Sequence, residues 1–520
     1  TNTGGTITVD AASGTADGTI AISSTTISAN GSGDSNADGG TINIEGAAVD
    51  FDFLGDQQIL ANAITNGDGG TVSIRATDPT TGDITKSSIN ADLIVQAAAI
   101  NGDGGAITLD AAHDIDLGDV SSNNTLNTST SIGNGGTITI NVGNDILSSV
   151  ITSNSRAISS GTGGTVDINV TRDITDSFTI ADVSSFNSGD AGVITIDAGR
   201  DISGGVLAVL ASANAGNAGT ITVNTGDDLI SNAGIQASSS GNGNGGTISF
   251  NSSTNTGAGI MQLSFNVDVT ANGAGTGNGG SVSFTNNSSG AISFLNSRNI
   301  SAQGGGTSGN GGTITVRNAG NGTANGGIDI NSNMIVNATA ATGTNTGGTI
   351  TVDAKSGAVD GSVALASSTI SANGSGDNNA DGGDILIEGA TVAFDAGVLQ
   401  TLSANAGADG DGGTVTIRAC DPINGNLTVG SGANISLQAR GGSTADGDGG
   451  TVTLEAANDL TVNGPASNID VNAAANGSGD GGTINLLAST GSGTGTLALN
   501  VGLTANGGGG ALATGNGGNI

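Results

Sequence analysis

The chain has no Trp, no Tyr, nine Phe, three Pro and a single Cys in 520 residues. Without bulky aromatic side chains nothing can fill the centre of a wide globule, so any core this sequence builds must be narrow. Three prolines exclude collagen-like and polyproline architectures. Cys420 stands alone, which excludes an internal disulfide and leaves the redox compartment open. Basic residues are also scarce: ten Lys and Arg stand against 45 Asp and Glu, a formal net charge of −35. That excess repels nucleic acid and anionic membrane surfaces and attracts divalent cations. There is no initiator Met, no signal peptide and no apolar run long enough to span a bilayer, so the sequence is expected to be a mature piece of something larger.

Glycine, by contrast, is abundant, with 95 copies, and apolar residues still make up 35% of the chain. Nearly all of the apolar share is Ala, Val, Ile and Leu, which separates the chain from a disordered Gly/Ser/Asn polymer. Its β-branched Ile, Val and Thr favour strands over helices.

The organising pattern is a Gly-Gly or Ala-Gly followed by alternating apolar and polar residues. Representative copies are Gly39-Gly40-Thr-Ile-Asn-Ile, Gly69-Gly70-Thr-Val-Ser-Ile, Gly135-Gly136-Thr-Ile-Thr-Ile, Gly311-Gly312-Thr-Ile-Thr-Val and Gly449-Gly450-Thr-Val-Thr-Leu, and the steps between copies run from about 27 to 37 residues. Each unit holds three short alternating runs, as in Thr6-Ile-Thr-Val, Gly18-Thr-Ile-Ala-Ile and Thr26-Ile-Ser-Ala. Every run reads as a strand with two or three inward apolar positions, and the Gly, Asn, Asp and Ser clusters between runs read as corners. One unit is therefore one three-sided coil. Parallel coils stacked about 4.8 Å apart make an all-β parallel β-helix, or β-solenoid, of about sixteen coils and roughly 75 to 80 Å, continuous over 1–520. Length variation falls before the next glycine pair, as in Gly31-Ser-Gly-Asp-Ser-Asn-Ala-Asp, where extra residues are expected to bulge outward.

A longer period overlies the short one. Thr344-Asn-Thr-Gly-Gly-Thr-Ile-Thr-Val-Asp repeats the first ten residues, Ser28-Ala-Asn-Gly-Ser-Gly-Asp returns at Ser371, and Gly67-Asp-Gly-Gly-Thr-Val-Ser-Ile-Arg-Ala returns at Gly410 with one Ser-to-Thr change. Residues 1–176 thus recur at about 344–520, a duplication that suits an elongating fibre better than an active site present once.

The Gly-Gly-Thr-Ile-Thr-Val strands and the Asn/Arg-Asp-Ile second strands, as in Asn144-Asp145-Ile146 and Arg200-Asp201-Ile202, resemble the repeats of filamentous haemagglutinin-like exoproteins over the whole chain. That resemblance implies a right-handed parallel β-helix secreted to a bacterial surface, often by two-partner secretion, with roles in adhesion, aggregation or biofilm. The amino-terminal secretion domain of that family is absent from this sequence.

Candidate chemistry concentrates at the corners. The residue before each glycine pair forms one column, with Asp38, Asp68, Asp103, Asp190, Asp381, Asp411, Asp448 and Asp480 among its acidic members and Asn or Thr elsewhere. Ionised Asp about 5 Å apart repel by roughly 1 kcal/mol in water, so something must offset the repulsion. Two readings compete. Consecutive Asp38, Asp68 and Asp103, and Asp381, Asp411, Asp448 and Asp480, together with loop carbonyls, form a Ca2+ ladder, since a hard cation needs several oxygen ligands. Alternatively, Asp and Asn simply suit corner backbone angles and splay into solvent. A second column, Asp114, Asp145, Asp173, Asp201 and Asp228, precedes the second strand with Arg172 and Arg200 beside it, and reads as turn capping with exposed ion pairs.

Other functions find less support. Parallel β-helices also carry polysaccharide lyases and hydrolases, yet His113 is the sole histidine, Lys86 and Lys355 are the only lysines, and the sugar-stacking Tyr and Trp are missing, so no enzyme is expected. Outward pairs such as Thr6/Thr8, Thr137/Thr139 and Thr313/Thr315 resemble ice-binding solenoids, but Asp167, Asp384 and Leu386 interrupt the columns and Arg75, Arg317 and Arg418 flank them. Phe250 and Phe284, one coil apart, are expected to stack inward, with Phe265 and Phe294 doing the same on the next strand; Cys420 takes the place of Thr77 and is incidental. Neither end carries a capping pattern, which leads to an expectation of self-association, end to end or laterally, into an extracellular filament, sheath or adhesin rod on a bacterial cell surface. The alternative is a glycan- or receptor-binding module on a solenoid spacer, with cell-surface glycans as partners. Titrating Ca2+ into chelator-treated protein separates the two corner readings: a metal ladder raises the thermal unfolding midpoint, and an unchanged midpoint leaves only turn-forming corners.

Overall fold

A computed structural model describes residues 3–520 apart from 12–16, 34, 53–54, 88–90, 119–122, 148–149, 176–177, 253–257, 266, 297, 321–325, 338–344, 355–359, 367–368, 376–378, 395–398, 430–434, 443, 445, 471, 473–477, 492–493 and 509–514, and leaves out the side chains of 178–180, 205–206 and 464–467. Lys355 lies outside the described residues. The chain forms two compact units, Thr1–Ala237 and Ser238–Ile520. Among the described residues every regular element is a β-strand, and the strands stack in parallel as a β-solenoid.

In the first unit the glycine-led strands Thr6–Asp10, Thr41–Gly46, Thr71–Ala76, Ala106–Ala111, Thr137–Val142, Thr165–Val170, Val193–Ala198 and Thr220–Thr225 pair in sequence order. Their register has no slip, so Ile42, Val72, Ile107 and Ile138 stand directly above one another. Alternation then sends every second residue inward: those four side chains are wholly buried while Thr41, Thr71 and Thr137 face out. The second unit repeats the arrangement from Thr247–Ser252 to Thr483–Leu487. Shorter strands make the other two sides. Ile20–Ile22 pairs with Val49–Phe51 and then Ile84–Lys86, while Thr26–Ser28 pairs with Gln57–Leu60 and then Leu93–Gln96.

The three-strand coil varies locally. Second and third strands fuse in Ile202–Leu210, Leu229–Gln236 and Leu460–Asp470, with register shifts between Ser203 and Val206 and between Asn463 and Asn468 where a corner would stand. The first two fused strands fall in coils only about 27 residues long, which leave no residues for a third corner. A further short strand, Thr130–Ile132, pairs with Ala157–Ser160 and continues as single bridges through Ser185 to Ala213. The stretch before the glycine pair does not simply bulge outward, because Ala37 and its duplicate Ala380 are both fully buried.

Four phenylalanines of the second unit interlock in one core cluster rather than in two separate columns. Phe250 stacks on Phe284 with centroids 5.2 Å apart and planes within 8°, while Phe294 meets Phe284 edge-on at 4.8 Å and Phe265 at 5.4 Å. Edge-to-face and stacked contacts of this kind add about 1 kcal/mol beyond area burial. Some inward positions are polar. Gln57, Gln400 and Asn124 open the third strand of their coils, and their amides donate to the backbone carbonyls of Ser24, Leu365, and Leu117 and Val150. Lys86 is also buried, with Nζ donating to the Ala91 carbonyl at 2.5 Å, an inward placement its charge did not announce.

The glycine pairs have a steric cause. A Cβ on Gly39 would lie 2.0 Å from the Ala61 carbonyl oxygen, and one on Gly70 would lie 2.1 Å from that of Gly40. Backbone of the neighbouring coil occupies the space; the second position is glycine in every copy, whereas the first is alanine at Ala191 and Ala218, so the second position carries the stricter demand. Gly70→Ala is expected to lower stability by about 2–4 kcal/mol, read as a fall in the urea midpoint, because backbone must move to admit the methyl. Gly55→Ala, where nothing lies within 4 Å, is the control and is expected to stay within about 0.5 kcal/mol.

Candidate functional site

The corner columns are coil-to-coil hydrogen-bond ladders. Asp38 Oδ1 accepts the backbone N–H of Asp68 at 3.0 Å, Asp68 accepts that of Asp103 at 2.8 Å, and Asp103 accepts that of Asn134 at 2.8 Å. In the second unit the series runs from Asp381 to Asp411, Asp448, Asp480 and Asn516 at 2.7–2.9 Å. Asn members do the same, as in Asn278 onto Asn244 and Asn310 onto Asn278. The main chain returns a bond at each level, since Gly39 N–H donates to the Asp68 carbonyl and Gly69 N–H to that of Asp103. A positive N–H dipole thus sits between each pair of like charges, which offsets the repulsion that the sequence predicts for a stack of carboxylates. Two backbone N–H bonds hold the Asp78 and Asp421 carboxyls below the usual range, and Asp480 is lowered by the N–H of Asn516 and then by its side-chain amide.

The second column behaves alike, beginning one coil earlier than the sequence suggested. Asp83 accepts the Asp114 N–H at 3.0 Å, and the bonds continue through Asp145, Asp173 and Asp201 to Asp228 at 2.9–3.1 Å. These carboxylates are less exposed than turn-capping surface groups: Asp173 is 6% exposed, and Arg200 bonds both of its oxygens, Nε reaching Oδ1 at 2.7 Å. The Arg200 hydrogen bond lowers the Asp173 carboxyl against an opposing push from burial. Asp227 moves the other way, raised by burial and then by Asp228 and Asp201.

Two further ladders went unread in the sequence. Asn62 N–H bonds Asn30 Oδ1 at 2.7 Å and Ala98 N–H bonds Asn62 Oδ1 at 2.9 Å, a column that the second unit repeats through Asn337, Asn373 and Asn405. Asp56, Asp92 and Asn123 form another at 3.0 and 2.8 Å. The signal was present in the recurring Ser-Ala-Asn, as at Asn30 and Asn373.

Charged side chains on the glycine-led face form ion-pair columns. Arg75 bridges Glu45 at 3.4 Å and Asp110 at 3.2 Å, and its duplicate Arg418 bridges Glu388 at 3.5 Å and Glu455 at 3.2 Å. A shallow hollow of about 160 Å3 borders the first column, lined by residues including Thr8, Asp10, Asn43, Glu45 and Arg75. On another side of the first unit Ile100, Ile132, Ile158 and Phe186 are each 47–49% exposed on successive coils, with the Arg156 guanidinium 6.0 Å from the Phe186 ring centre.

His113 occupies a corner and is more than a surface residue. Its Nδ1 lies 2.8 Å from Asp83 Oδ1 and 3.1 Å from Asp114 Oδ2. The Asp83 hydrogen bond raises the imidazole above its ordinary value, opposed by burial and assisted by Asp114. Among the described residues this is where three His, Cys, Asp or Glu side chains bring ligand atoms within 4.8 Å of one another; the columns of Asp38, Asp68 and Asp103 and of Asp381, Asp411, Asp448 and Asp480 are not gathered that way.

Asp173 provides the test of the ladder. Asp173→Asn keeps an acceptor for the Asp201 N–H and loses the Arg200 charge pair, whereas Asp173→Ala loses both; the alanine variant is expected to cost about 1–3 kcal/mol and the asparagine variant distinctly less. Because the folded carboxyl is lowered, its share of stability is complete above the ordinary value of 3.8 and disappears as pH falls through the lower folded value. Urea midpoints should therefore drop more steeply for wild type than for Asp173→Asn below about pH 4.

No protein-family model matches this chain, and no curated protein and no solved structure matches it.

Proposed function

We propose that this chain is a non-catalytic structural or adhesive element, a solenoid segment of an extracellular filament or sheath on a bacterial surface. The carrying observation is the set of corner ladders. Nearly every outward acidic corner spends its oxygens on the backbone of the next coil, and the same bonds recur in both units, so the chemistry of the surface is devoted to propagating the stack. Enzymes instead converge unlike groups on one point. Ca2+ is not required by this reading, because N–H groups already separate the stacked carboxylates.

The second reading, a receptor- or glycan-binding module on a solenoid spacer, draws on the half-exposed Ile100, Ile132, Ile158 and Phe186, since contiguous apolar groups on a soluble surface mark contact sites. Among the described residues no helix is long and apolar enough to cross a membrane, and self-association or glycan contact belongs to the proposal.

Imaging of native material tests the first reading. Continuous fibres with an axial repeat near 4.8 Å are expected, together with no release of reducing ends from neutral or anionic polysaccharides. Isolated short rods that bind a cell-surface glycan, with binding abolished by Phe186→Ser, would favour the second. Polysaccharide cleavage would remove both.

A further inference from the structure

The His113 corner differs from every other ladder position described above in placing a nitrogen ligand between two carboxylates. An imidazole N–H offers one proton, yet Asp83 Oδ1 and Asp114 Oδ2 both face Nδ1 at 2.8 and 3.1 Å. A divalent transition ion replacing that proton would bond all three atoms together. For such an ion, N and O ligands lie at about 2.0–2.2 Å, so ligands of one tetrahedron stand roughly 3.3–3.5 Å apart. The Asp83 spacing needs to open by about half an ångström or slightly more and the Asp114 spacing by a few tenths, within the reach of side-chain rotation, and all three ligand atoms already lie within 4.8 Å of one another. The three side chains are 31%, 34% and 17% exposed, which leaves solvent free to complete the coordination shell.

The ligand atoms are also oriented by the ladder. Asp114 Oδ1 is occupied by the Asp145 N–H at 2.9 Å and Asn144 Nδ2 at 2.8 Å, which turns Oδ2 toward the imidazole. Asp83 Oδ1 is held by the Asp114 N–H, and the His113 backbone N–H bonds the Gly82 carbonyl at 3.1 Å. Hydrogen bonds that fix ligand orientation in this way strengthen metal binding.

The duplicated coil supplies an independent observation. In the second unit the same corner keeps its backbone bonds: Asn458 N–H meets the Gly425 carbonyl at 3.0 Å, and Asp459 N–H meets Asn426 Oδ1 at 3.1 Å. Asn426 and Asn458 stand where the first unit has Asp83 and His113. Closing the corner therefore needs neither the second carboxylate nor the imidazole, and where later coils of the first unit place Arg172 and Arg200 beside the ladder acids, this coil places an imidazole, which can ligate a metal as a guanidinium cannot.

We propose that Asp83, His113 and Asp114 form a site for one divalent transition-metal ion of the Zn2+, Co2+ or Ni2+ class, with His113 Nδ1, Asp83 Oδ1 and Asp114 Oδ2 as ligands and water completing the shell. The nitrogen ligand selects such ions over Ca2+, which takes oxygen alone. The site shares Asp83 and Asp114 with the second corner column, lies apart from the column of Asp38, Asp68 and Asp103, and does not depend on the filament reading.

Co2+ and Zn2+ titrations of the full chain in excess Ca2+, which occupies isolated carboxylates, test the site by calorimetry and by visible Co2+ absorption. One ion per chain is expected, with a Co2+ band altered by nitrogen ligation. His113→Asn, which installs the residue found at 458, should weaken binding by at least about tenfold while leaving circular dichroism unchanged. The paired change Asn426→Asp with Asn458→His should raise the stoichiometry from one to two. Binding that survives His113→Asn, or no binding beyond what Ca2+ competes away, overturns the site. Should the paired variant fail to fold, His113→Asn alone still decides between these outcomes.

Discussion

Everything in this protein depends on parallel hydrogen bonding between one coil and the next. A parallel ladder holds strands about 4.8 Å apart and satisfies backbone groups along the strands, but at a corner the chain turns and the regular ladder stops. The corners are where a stack of coils loses backbone bonds. Here the gap is filled by Asp, Asn and sometimes Ser side chains, whose oxygens accept the N–H of the equivalent residue one coil on. The same spacing dictates the second glycine of each pair, because a methyl at Gly70 would enter the backbone of an adjacent coil.

This arrangement also accounts for how a chain of charge −35 folds. Stacked carboxylates repel when only water lies between them, yet the carboxylates from Asp38 to Asp103, from Asp83 to Asp201 and from Asp381 to Asp480 each hold a peptide N–H, and Asp145 and Asp173 hold an arginine as well. Arg75 and Arg418 each sit between two acids on neighbouring coils, and Arg200 grips the nearly buried Asp173. With only ten basic residues, many acids, such as those of the Asp38 and Asp381 columns, are held by main-chain N–H groups.

A surface built to pass bonds along one axis suits a filament, and its chemistry varies little from coil to coil. Departures from the pattern are therefore informative. Ile100, Ile132, Ile158 and Phe186 form one departure, half-exposed apolar side chains on four successive coils. The His113 corner is another: its duplicate at Asn458 shows the same main-chain bonds without the imidazole and with one carboxylate fewer.

The sequence by itself determined the coil, the inward and outward positions, the duplication and the two main acidic columns, because all of these follow from periodicity: a strand alternates with period two, and a stacked coil repeats at nearly constant length. Ile42 and Val72, or Phe250 and Phe284, could be placed together from their offsets from a glycine pair. The tertiary structure alone decided which atoms meet between coils. Coil length varies from about 27 to 37 residues, so the partner of a side chain lies at no fixed sequence distance. That is why the Asp56 ladder, the fused strand Ile202–Leu210 and the inward Lys86 were not legible, and why the recurring Ser-Ala-Asn at Asn30 and Asn373 marked a column without showing which atoms it joins. It is also why the sequence offered no partner for its sole histidine, His113, whose ring nitrogen the closure of the coil sets against Asp83, thirty residues earlier.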